Sequence, residues 1–586
     1  MSATRLRGPE APAARHRTVG AALEAAASRP CGVTFVDLRE QERWLSWAEV
    51  ARRARCAAGG LAARGLRPGD RVAIVLRTEP AFLDAFFGAL LAGAVPVPLY
   101  PPVRLARLEE YFGATARMLR VSGARLAVTS PGVRRLLGEA VARAGPGLDL
   151  GVADAAELAP YPELSVPSKP EDLALVQFSS GSTVDPKPVA LAHSNLLAQV
   201  EALTALVSPT SADALVSWLP LYHDMGLIGC LLGAMGYPGP LVLIPPEHFL
   251  ARPALWLRAV ARHRGTISAA PHFAYAYAAD RVRDEDLAGH SLESWRIALD
   301  GAEPVTAPTL RRFSARFSPH GFDPAALLPV YGLSEAALAV TFSPRRRELR
   351  AESVDPRRLA AGEVAAGGRE VLSVGAPIPG MEVEVRGEGG DPLPERRLGR
   401  IYVRGPSVMR AYLGDEEGTA RALADGWLDT GDLGFHAGGE LFLHGRAKDL
   451  VIVHGANHAP EEFEASLGGL PGLRPGCAVA VGFVPPEGSG EELLLLAERA
   501  PGRAEEDGVL AEAVRRVVLE RTGVRAHTVR LLAPGSLPRT SSGKMRRGEA
   551  LRRFLEGTLG APRRPSALAL AGHLLRSGLA YARARR

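Results

Sequence analysis

Lysine and asparagine are scarce in this chain. Of the 70 basic residues among 586 amino acids, only four are lysine and the rest are arginine, while asparagine occurs twice. We interpret this bias as drift toward alanine, arginine, glycine and proline, as a GC-rich genome would favour. Where arginine replaces lysine freely, a retained lysine is a candidate for a position that needs a compact ammonium group, although Lys169, in a proline-rich linker, is assigned no role. The retained residues are Lys169, Lys187, Lys448 and Lys544, together with Asn195 and Asn457.

Cysteine and long apolar runs are also lacking. The four cysteines (Cys31, Cys56, Cys230 and Cys477) lie far apart, which excludes zinc-like spacing and argues against a disulfide framework. Residues 1–17 contain no signal-type apolar stretch, and the apolar runs at 85–100 and 227–246 are broken by glycine and proline. We therefore expect a cytoplasmic protein with no integral membrane segment. The net charge of +6 is dispersed, without the basic and aromatic stripe of a nucleic-acid binder.

The periodicity of the sequence predicts an α/β fold, and its length predicts three to five domain-sized units. Helix patterns alternate with short β-rich runs in the first third of the chain, and the same rhythm returns over 196–300. This alternation favours βα units around a mostly parallel sheet. From 371 to 403 the apolar residues alternate with period two, which indicates a small antiparallel barrel or sheet. The predicted helices are 47–64 and 81–91, and the predicted strands are 71–76, 95–99, 214–218, 241–244, 267–270 and 450–454.

A small, hydroxyl-rich loop follows the apolar run at 173–178. It reads SSGSTVDPK over residues 179–187. Backbone N–H groups and hydroxyls in such a loop can wrap phosphate oxygens, and Lys187 adds positive charge. The Walker signature is absent. By itself this composition is also typical of an ordinary loop.

Six further runs follow this loop in a fixed order. They are WLPLYHDMG (218–226), DGAEP (300–304), YGLSE (331–335), GWLDTGD (426–432), GRAKD (445–449) and PRTSSGK (538–544). Together with the loop they resemble the motifs of the adenylate-forming superfamily of acyl and aryl ligases, and flanking segments extend the match over nearly the whole chain. Each run alone is weak, but seven in order are specific.

The resemblance implies ATP and Mg²⁺ as cofactors and two half-reactions in one site. Lys544 would bridge the substrate carboxylate and the α-phosphate, and His223 would line the junction of the ATP and acyl sites. Glu335 and Thr183 would hold Mg²⁺. Lys448 and Asp449 would form the hinge about which a small domain swings. The implied nucleotide-binding residues are Ser179, Ser180, Gly181, Ser182, Thr183, Lys187, Gly301, Ala302, Glu303, Tyr331, Gly332, Ser334, Asp432 and Arg446.

The implied nucleotide contacts leave structural roles open for several of these residues. Tyr331 would stack on adenine, and Ser334 would lie near the α-phosphate. Asp432 would bind the ribose hydroxyls with support from Arg446, or the two would form a buried structural pair.

Three further residues also have a purely structural interpretation. His223 could be a core histidine with satisfied ring atoms. Glu335 could be a glutamate at the start of a helix, where the helix dipole favours negative charge. Lys448 could be a solvated charge in a linker.

The resemblance also implies a domain plan. We expect a large N-terminal domain of βα sheet subdomains with a small β-barrel-like subdomain over 1–445, and a hinge at 446–449. A small, mobile α+β C-terminal lid domain would follow over 450–561. The tail at 562–586 has the pattern of a basic, weakly amphipathic helix, which would be solvated, packed on the surface or bound to an anionic partner.

Within the superfamily the chain is most similar to fatty acyl-AMP ligases. The segments that indicate this are VPVPLYPP (95–102), HDMG (223–226), FAY (273–275), SWR (294–296) and VIVHGANH (451–458). The stretch between 331 and 375 is long, and its charged part, 345–368, resembles an insertion thought to limit lid movement and disfavour CoA. The same stretch could also be a variable loop.

The implied reaction is activation of a medium- or long-chain fatty acid and transfer to the phosphopantetheine thiol of an acyl carrier protein, in polyketide or lipopeptide assembly. We expect a monomer. The rivals are a fatty acyl-CoA synthetase and a non-catalytic scaffold. Val184 and Pro188 replace glycines of the family loop, which favours a variant loop shape and leaves reduced or lost adenylation as an alternative to an active enzyme. His272 stands where asparagine is common, in a predicted strand.

Overall fold

The computed structural model describes residues 5–102, 107–179, 186–237, 239–453, 456–485, 490–502, 506–540, 544–560, 572–573 and 576–577. Its α-helices are α1 (Val19–Ala27), α2 (Trp47–Ala63), α3 (Pro80–Leu91), α4 (Leu108–Ser122), α5 (Pro131–Ala144), α6 (His193–Val207), α7 (Gly233–Gly236), α8 (Pro246–Ala251), α9 (Ala254–Arg262), α10 (His272–Arg281), α11 (Ala307–Phe317), α12 (Pro356–Ala360), α13 (Glu416–Ala422), α14 (Pro460–Ser466), α15 (Asp507–Thr522) and α16 (Arg547–Leu555). A π-helix covers Met225–Leu232. Short 3₁₀ helices cover Ala155–Leu158, Glu285–Leu287, Ser318–His320, Pro324–Ala326, Ser334–Ala336 and Ala447–Asp449.

The strands form one large parallel-cored sheet and several smaller sheets. They are β1 (Leu6–Arg7), β2 (Gly32–Val36), β3 (Glu42–Ser46), β4 (Arg71–Val75), β5 (Val95–Pro98), β6 (Ala124–Thr129), β7 (Gly151–Asp154), β8 (Leu173–Phe178), β9 (Pro188–Ala192), β10 (Leu215–Ser217), β11 (Leu241–Leu243), β12 (Ile267–Pro271), β13 (Ile297–Gly301), β14 (Leu327–Gly332), β15 (Ala339–Phe342), β16 (Ala351–Val354), β17 (Arg369–Leu372), β18 (Ala376–Pro377), β19 (Glu382–Arg386), β20 (Gly399–Arg404), β21 (Ala411–Tyr412), β22 (Leu423–Ala424), β23 (Trp427–Ala437), β24 (Glu440–Arg446), β25 (Val451–Val453), β26 (Ala456–His458), β27 (Leu473–Phe483), β28 (Glu492–Arg499) and β29 (Thr528–Leu532).

The large sheet has the order β18-β15-β14-β13-β12-β10-β11-β2-β3, and a second, parallel sheet has the order β5-β4-β6-β7. Strands β12, β13 and β14 run parallel, with Pro271 opposite Gly301 and Asp300 opposite Pro329. The carboxyl ends of three neighbouring strands therefore meet at one edge, which is where open α/β sheets bind ligands. The predicted α/β class is confirmed.

The predicted helices and strands agree with the observed elements to within a few residues, with one exception. The pattern predicts a strand at His272, but this residue is the first of α10. The reason is local: Pro271 ends β12 in an extended conformation (φ −71°, ψ 154°), and the following residues start the helix. His454, the predicted end of one strand, lies outside the described residues.

The antiparallel region around 371–446 forms a sheet of the order β1-β19-β20-β23-β22, with β24 paired to β23. Its apolar side chains alternate as predicted: Val383 and Val385 on β19 are buried, as are Ile401 and Val403 on β20. Strand β24 continues to Arg446, which lies opposite Asp432 of β23. This sheet therefore carries two candidate site residues at its end.

Residues beyond 450 form their own hydrophobic clusters. One cluster includes Val451, Phe463, Leu495 and Val514, and a second includes Val479, Leu494 and Ala550. The three-stranded sheet β27-β28-β29 separates them. The hinge at 446–449 and the other predicted domain limits stay predictions. Most of the tail at 562–586 lies outside the described residues. In the whole part of the chain that the structure describes, no helix is long and apolar enough to cross a membrane.

Candidate active site

A cavity of about 2200 Å³ brings together every predicted site residue that the structure describes. It lies at the carboxyl edge of the large sheet and extends to the residues beyond 450. Ser180, Gly181, Ser182 and Thr183 lie outside the described residues. The predicted residues that line the cavity are Ser179, Lys187, His223, Gly301, Ala302, Glu303, Tyr331, Gly332, Ser334, Glu335, Asp432, Arg446, Lys448, Asp449 and Lys544.

The two ends of the predicted phosphate loop are tied together. The Ser179 N–H donates to the Lys187 carbonyl (2.9 Å), and the Lys187 N–H donates to Ser179 Oγ (3.2 Å). Pro188 is the first residue of β9, a position where a strand tolerates proline, and its carbonyl accepts from the Leu413 N–H (2.8 Å). The base of the loop is therefore closed, although Pro188 has no N–H to donate.

Lys187, Tyr412 and Glu335 form a chain along the cavity wall. The Lys187 ammonium lies 4.3 Å from the centre of the Tyr412 ring, a cation–π contact. The Tyr412 hydroxyl donates to Glu335 Oε1 (2.9 Å). Burial and the Glu335 charge raise the pKa of Tyr412, so the phenol stays protonated. Tyr412 thus fixes the predicted phosphate lysine and the predicted metal ligand together.

Glu335 fits the Mg²⁺ that the resemblance implies. Among the described residues no three acidic, histidine or cysteine side chains are grouped so as to hold a metal alone. Mg²⁺ is usually held by one or two carboxylates plus substrate phosphates and water, so one carboxylate beside a phosphate loop is a suitable donor set. Thr183, the second predicted ligand, lies outside the described residues.

Tyr331, Asp432 and Arg446 form a second linked group. The Tyr331 hydroxyl donates to Asp432 Oδ2 (2.7 Å), and Arg446 Nε lies 3.1 Å from Asp432 Oδ1. Burial, and then the Asp432 charge, raise the pKa of Tyr331 well above its usual value. The structural pair of Asp432 and Arg446 is therefore present, and both residues also line the cavity.

The backbone of the predicted adenine site is tightly constrained. A Cβ on Gly332 would lie 1.8 Å from the Leu338 carbonyl oxygen, so only glycine fits there. Ala302 has φ +66°, in the left-handed region that a non-glycine residue adopts at a cost. Glu303 Oε2 accepts from the Phe273 N–H at the start of α10 (2.9 Å). These contacts fix the loop between β13 and α11.

His223, Asp224 and Ser334 form a buried cluster. His223 Nδ1 lies 2.7 Å from Asp224 Oδ1, which also accepts from the Met225 N–H (2.7 Å). The Ser334 hydroxyl donates to Asp224 Oδ2 (2.5 Å). Burial alone would raise the pKa of Asp224, but the His223 ring, the Ser334 hydroxyl and the Lys544 charge hold it well below its usual range. The hydroxyl hydrogen of Ser334 is therefore directed at Asp224.

Lys544 is held by the backbone of its own loop. Its N–H donates to Thr540 Oγ1 (3.0 Å), and its carbonyl accepts from the Thr540 N–H (2.8 Å). Burial lowers the pKa of the Lys544 ammonium, and the carboxylates of Asp224 and Glu303 offset only part of that shift. The side chain thus lies in the cavity among groups from the large sheet.

The predicted hinge residues lie beside an arginine-centred cluster. Lys448 and Asp449 are in the 3₁₀ helix that follows β24. Arg547 lies 2.6 Å from Glu464, 2.9 Å from Glu461 and 3.7 Å from Asp449. Burial lowers the pKa of Lys448, and the Asp449 charge opposes this shift. Lys448 is exposed, so its predicted roles as a hinge residue and as a solvated linker charge both stay open.

One part of the cavity wall is apolar. Its residues come from α6, β10, the π-helix, α7 and the residue that follows α7, β12, β13 and β15, and all are uncharged. The principal side chains and glycines are Leu203, Val207, Leu215, Gly229, Cys230, Gly233, Tyr237, Ile267, Ala269, Leu299 and Phe342. Such a surface can bury a hydrocarbon chain, at about 0.8 kcal/mol per methylene.

Sequence reasoning misses the roles of three residues of the site. Asp224 lies inside the motif at 218–226, where its place directly after His223 is the only signal. Tyr412 carries no signal, because its contact with Glu335 depends on β21 pairing with β9. His272 departs from the family pattern, but the sequence gives no partner for it. Its ring lies 2.7 Å from Asp300 Oδ2 and 2.9 Å from Thr306 Oγ1.

Comparison with known proteins gives a consistent result. The family model described as AMP-binding enzyme matches residues 23–413. A putative acyl-CoA synthetase of Caulobacter vibrioides is 38% identical over 93% of this chain and 96% of its own length. The medium-chain-fatty-acid–[acyl-carrier-protein] ligase JamA of Moorena producens is 33% identical over 88% of this chain and 90% of its own length.

A solved structure is also similar. It comes from structural and functional studies of fatty acyl-adenylate ligases from E. coli and L. pneumophila. The TM-score is 0.87 and the sequence identity is 34%, over 93% of this chain and 99% of that chain.

Proposed function

The chain belongs to the AMP-binding enzyme family of adenylate-forming ligases, and we propose that it is a fatty acyl-AMP ligase that loads an acyl carrier protein. It would join a medium- or long-chain fatty acid to the AMP part of ATP, with release of pyrophosphate. The acyl group would then pass to the phosphopantetheine thiol of the carrier. We further propose a cytoplasmic monomer that serves polyketide or lipopeptide assembly.

The lining and size of the cavity support this proposal. The cavity joins an apolar wall to a polar region that holds Lys544, His223, Glu335 and Asp432. A cavity of about 2200 Å³ exceeds the roughly 300–1,000 Å³ of a typical single-ligand pocket, so ATP and an acyl chain can occupy it together. The apolar wall favours a fatty acid over a polar carboxylic acid.

In the first half-reaction a carboxylate oxygen attacks the α-phosphorus, and the bond from that phosphorus to the β-phosphate oxygen breaks. The residues must hold two anions close together and stabilise the charge on the phosphoryl oxygens. We assign this to Lys544, whose ammonium lies in the cavity, with Lys187 on the leaving pyrophosphate. Tyr331 would stack on the base, while Asp432 and Arg446 would bind the ribose.

Glu335 would hold Mg²⁺, and the Tyr412 hydroxyl donates to the same carboxylate. When bound, the ion neutralises part of the phosphate charge. The chain's own contribution is to orient Glu335. Tyr412 and the Met409 N–H fix the residue at both its side chain and its carbonyl (2.9 and 2.7 Å).

In the second half-reaction a thiolate attacks the acyl carbon and AMP leaves with the electron pair of the acyl–oxygen bond. The segment at 345–368 supports a carrier protein over CoA as the acceptor. It forms β16 and α12, and its Val354 and Leu359 are buried against Phe435 and Phe442 of β23 and β24. This packing argues against a loose variable loop.

The same region contacts the residues beyond 450. Arg369, which directly follows this segment, forms an ion pair with Glu462 of α14, and the two side chains are largely buried. A link of this kind would hinder the rotation of a lid domain that the second half-reaction with free CoA requires. Acyl-CoA synthesis remains the rival activity, because a relative named as a putative acyl-CoA synthetase is 38% identical.

Acceptor competition tests the proposal. The protein is incubated with ATP, Mg²⁺, a fatty acid and either CoA or holo-acyl carrier protein, and thioesters are measured by mass spectrometry. We expect acyl-carrier product and little acyl-CoA. Rapid formation of acyl-CoA would support the synthetase instead, and absence of pyrophosphate release with every fatty acid would support a non-catalytic scaffold.

A pair of variants tests the link at Arg369. Arg369→Ala should raise acyl-CoA formation relative to acyl-carrier formation. Arg311→Ala is the matched control, because it breaks an ion pair with the neighbouring Glu370 (2.8 Å) without touching α14. Equal effects of the two substitutions would contradict the proposed restraint.

A further inference from the structure

His223 and Asp224 directly precede the π-helix Met225–Leu232, which forms part of the cavity wall. Extended π-helical geometry is rare and occurs frequently at functional sites. Here it places Asp224 at the N-terminal end of the element, where its Oδ1 accepts from the Met225 N–H. The backbone therefore fixes the carboxylate, and the carboxylate can fix its neighbours.

The two ring nitrogens of His223 have different surroundings. Nδ1 lies 2.7 Å from Asp224 Oδ1, and the Met225 nitrogen, whose N–H donates to the same oxygen at 2.7 Å, lies 3.4 Å from Nδ1. Nε2 is buried and has no hydrogen-bond partner among the described residues, although a buried polar atom normally has one. His223 lines the cavity, so Nε2 is the ring nitrogen that remains available to a ligand.

Both carboxylate oxygens of Asp224 already have partners in the protein. One oxygen accepts from the Met225 N–H and faces the His223 ring, and the other accepts from Ser334. The residue is 6% exposed. A carboxylate with this set of contacts orients the groups around it, as outer partners of metal-bound or catalytic histidines do.

We propose that Asp224 is a positioning residue: it directs Nδ1 of His223 toward its own carboxylate, so that Nε2 faces the reacting groups in the cavity. The inference rests on the proposed function for its turnover measurements. A histidine without this partner can rotate its ring or shift its proton to the other nitrogen. Ser334 shares the task, because its hydroxyl holds the second carboxylate oxygen.

The first test is a double-mutant cycle on fatty-acid-dependent pyrophosphate release. Asp224→Asn should lower kcat about 10- to 100-fold while KM for ATP changes by less than about threefold, as for outer partners of a catalytic histidine in general. If Asp224 acts through His223, the double variant Asp224→Asn/His223→Ala should be no slower than His223→Ala alone. Multiplying effects would overturn the inference.

Asp213→Asn is the matched control. Asp213 is also buried and pairs with Arg296 (2.8 Å), but it does not line the cavity. It should leave kcat unchanged. The melting temperature of every variant is measured, so that loss of folding is separated from loss of positioning. If Asp224→Asn fails to fold, Asp224→Ala takes its place.

The second test needs no turnover and decides the inference even if the proposed function fails. Nitrogen-15 NMR of histidine-labelled protein assigns His223 from the signal lost in His223→Ala. We expect Nδ1 to carry a proton in the wild type and to lose it at least partly in Asp224→Ala. An unprotonated Nδ1 in the wild type, or identical spectra in the variant, would refute the positioning role.

Discussion

Two histidine–aspartate pairs stand beside the same cavity, and the other contacts of their histidine rings differ. In both, the histidine Nδ1 lies 2.7 Å from a carboxylate oxygen. In the pair His272–Asp300, Nε2 contacts Thr306, at 2.9 Å from Oγ1 and 3.2 Å from the backbone nitrogen. In the pair His223–Asp224, Nε2 has no partner among the described residues. We infer that the first pair joins structural elements and that the second serves a ligand.

The two carboxylates also differ. Burial raises the pKa of Asp300, and the His272 ring only partly offsets this effect. Asp300 Oδ1 is buried without a hydrogen-bond partner in the part of the chain that the structure describes. Both oxygens of Asp224 have partners, and its pKa is depressed. Identical residue types thus acquire different roles from their remaining contacts, which no spacing in the sequence reveals.

The largest expected effect concerns the cation that faces the Asp224 pair. Lys544→Ala removes the ammonium that would stabilise the charged α-phosphate, so pyrophosphate release should fall about 1000-fold. A coupled pyrophosphate assay measures the rate. Lys169→Ala is the control, because Lys169 does not line the cavity and should have no effect. Retained activity in Lys544→Ala would remove the proposed catalytic bridge.

A crossed pair of substitutions tests the comparison itself. His272→Ala leaves a buried carboxylate without its partner, which should cost about 3 kcal/mol of stability. His223→Ala should instead lower kcat at least tenfold, with a smaller loss of stability. Urea unfolding and initial rates are measured on both proteins. If His272→Ala affects mainly kcat and His223→Ala mainly unfolding, the two roles are reversed.

Gly332→Ala tests how Ser334 reaches Asp224. The added Cβ would lie 1.8 Å from the Leu338 carbonyl, so the backbone before Ser334 must shift. We expect a loss of about 1–3 kcal/mol of stability and a lower kcat. Gly229 also lies on the wall, but its Cβ would meet only the Leu338 side chain (2.8 Å), so Gly229→Ala should be milder. A silent Gly332→Ala would contradict this geometry.

The smallest expected effect is on the pH dependence of stability. Burial lowers the pKa of His272, but the carboxylates of Asp300 and Glu303 together more than offset this, so the folded-state pKa lies above the usual 6.5. Between pH 6.5 and the folded-state pKa, the folded protein binds more protons than the unfolded chain. The resulting contribution to stability is lost as pH rises through the folded-state pKa. His272→Gln should flatten the slope of unfolding free energy above pH 6.5. An unchanged slope would show that His272 contributes nothing to it.

The fold could be predicted well from the sequence because the relevant signals are local. Apolar runs and glycine or proline breaks indicate the alternation of strands and helices, and the helix at Trp47–Ala63 is predicted almost to its ends. His272 shows the limit: a strand pattern continues past Pro271, where the observed chain turns into α10.

The site was predictable only where a residue lies inside an ordered motif. Lys544, Glu335 and Asp432 belong to such motifs, and they line one cavity. Tyr412 does not, and its contact with Glu335 depends on a strand pairing between β21 and β9. Likewise the partner of Arg369 comes from α14, 93 positions later. Such contacts are properties of the folded chain.

The proposed reaction joins a fatty acid to AMP within one cavity. Mass spectrometry of the products formed from ATP, Mg²⁺ and a mixture of short, medium and long fatty acids tests it most directly. We predict acyl-adenylates of the medium or long acids in the wild type and none in Lys544→Ala. Absence of every acyl-adenylate from the wild type, or adenylates of short acids alone, would contradict the account.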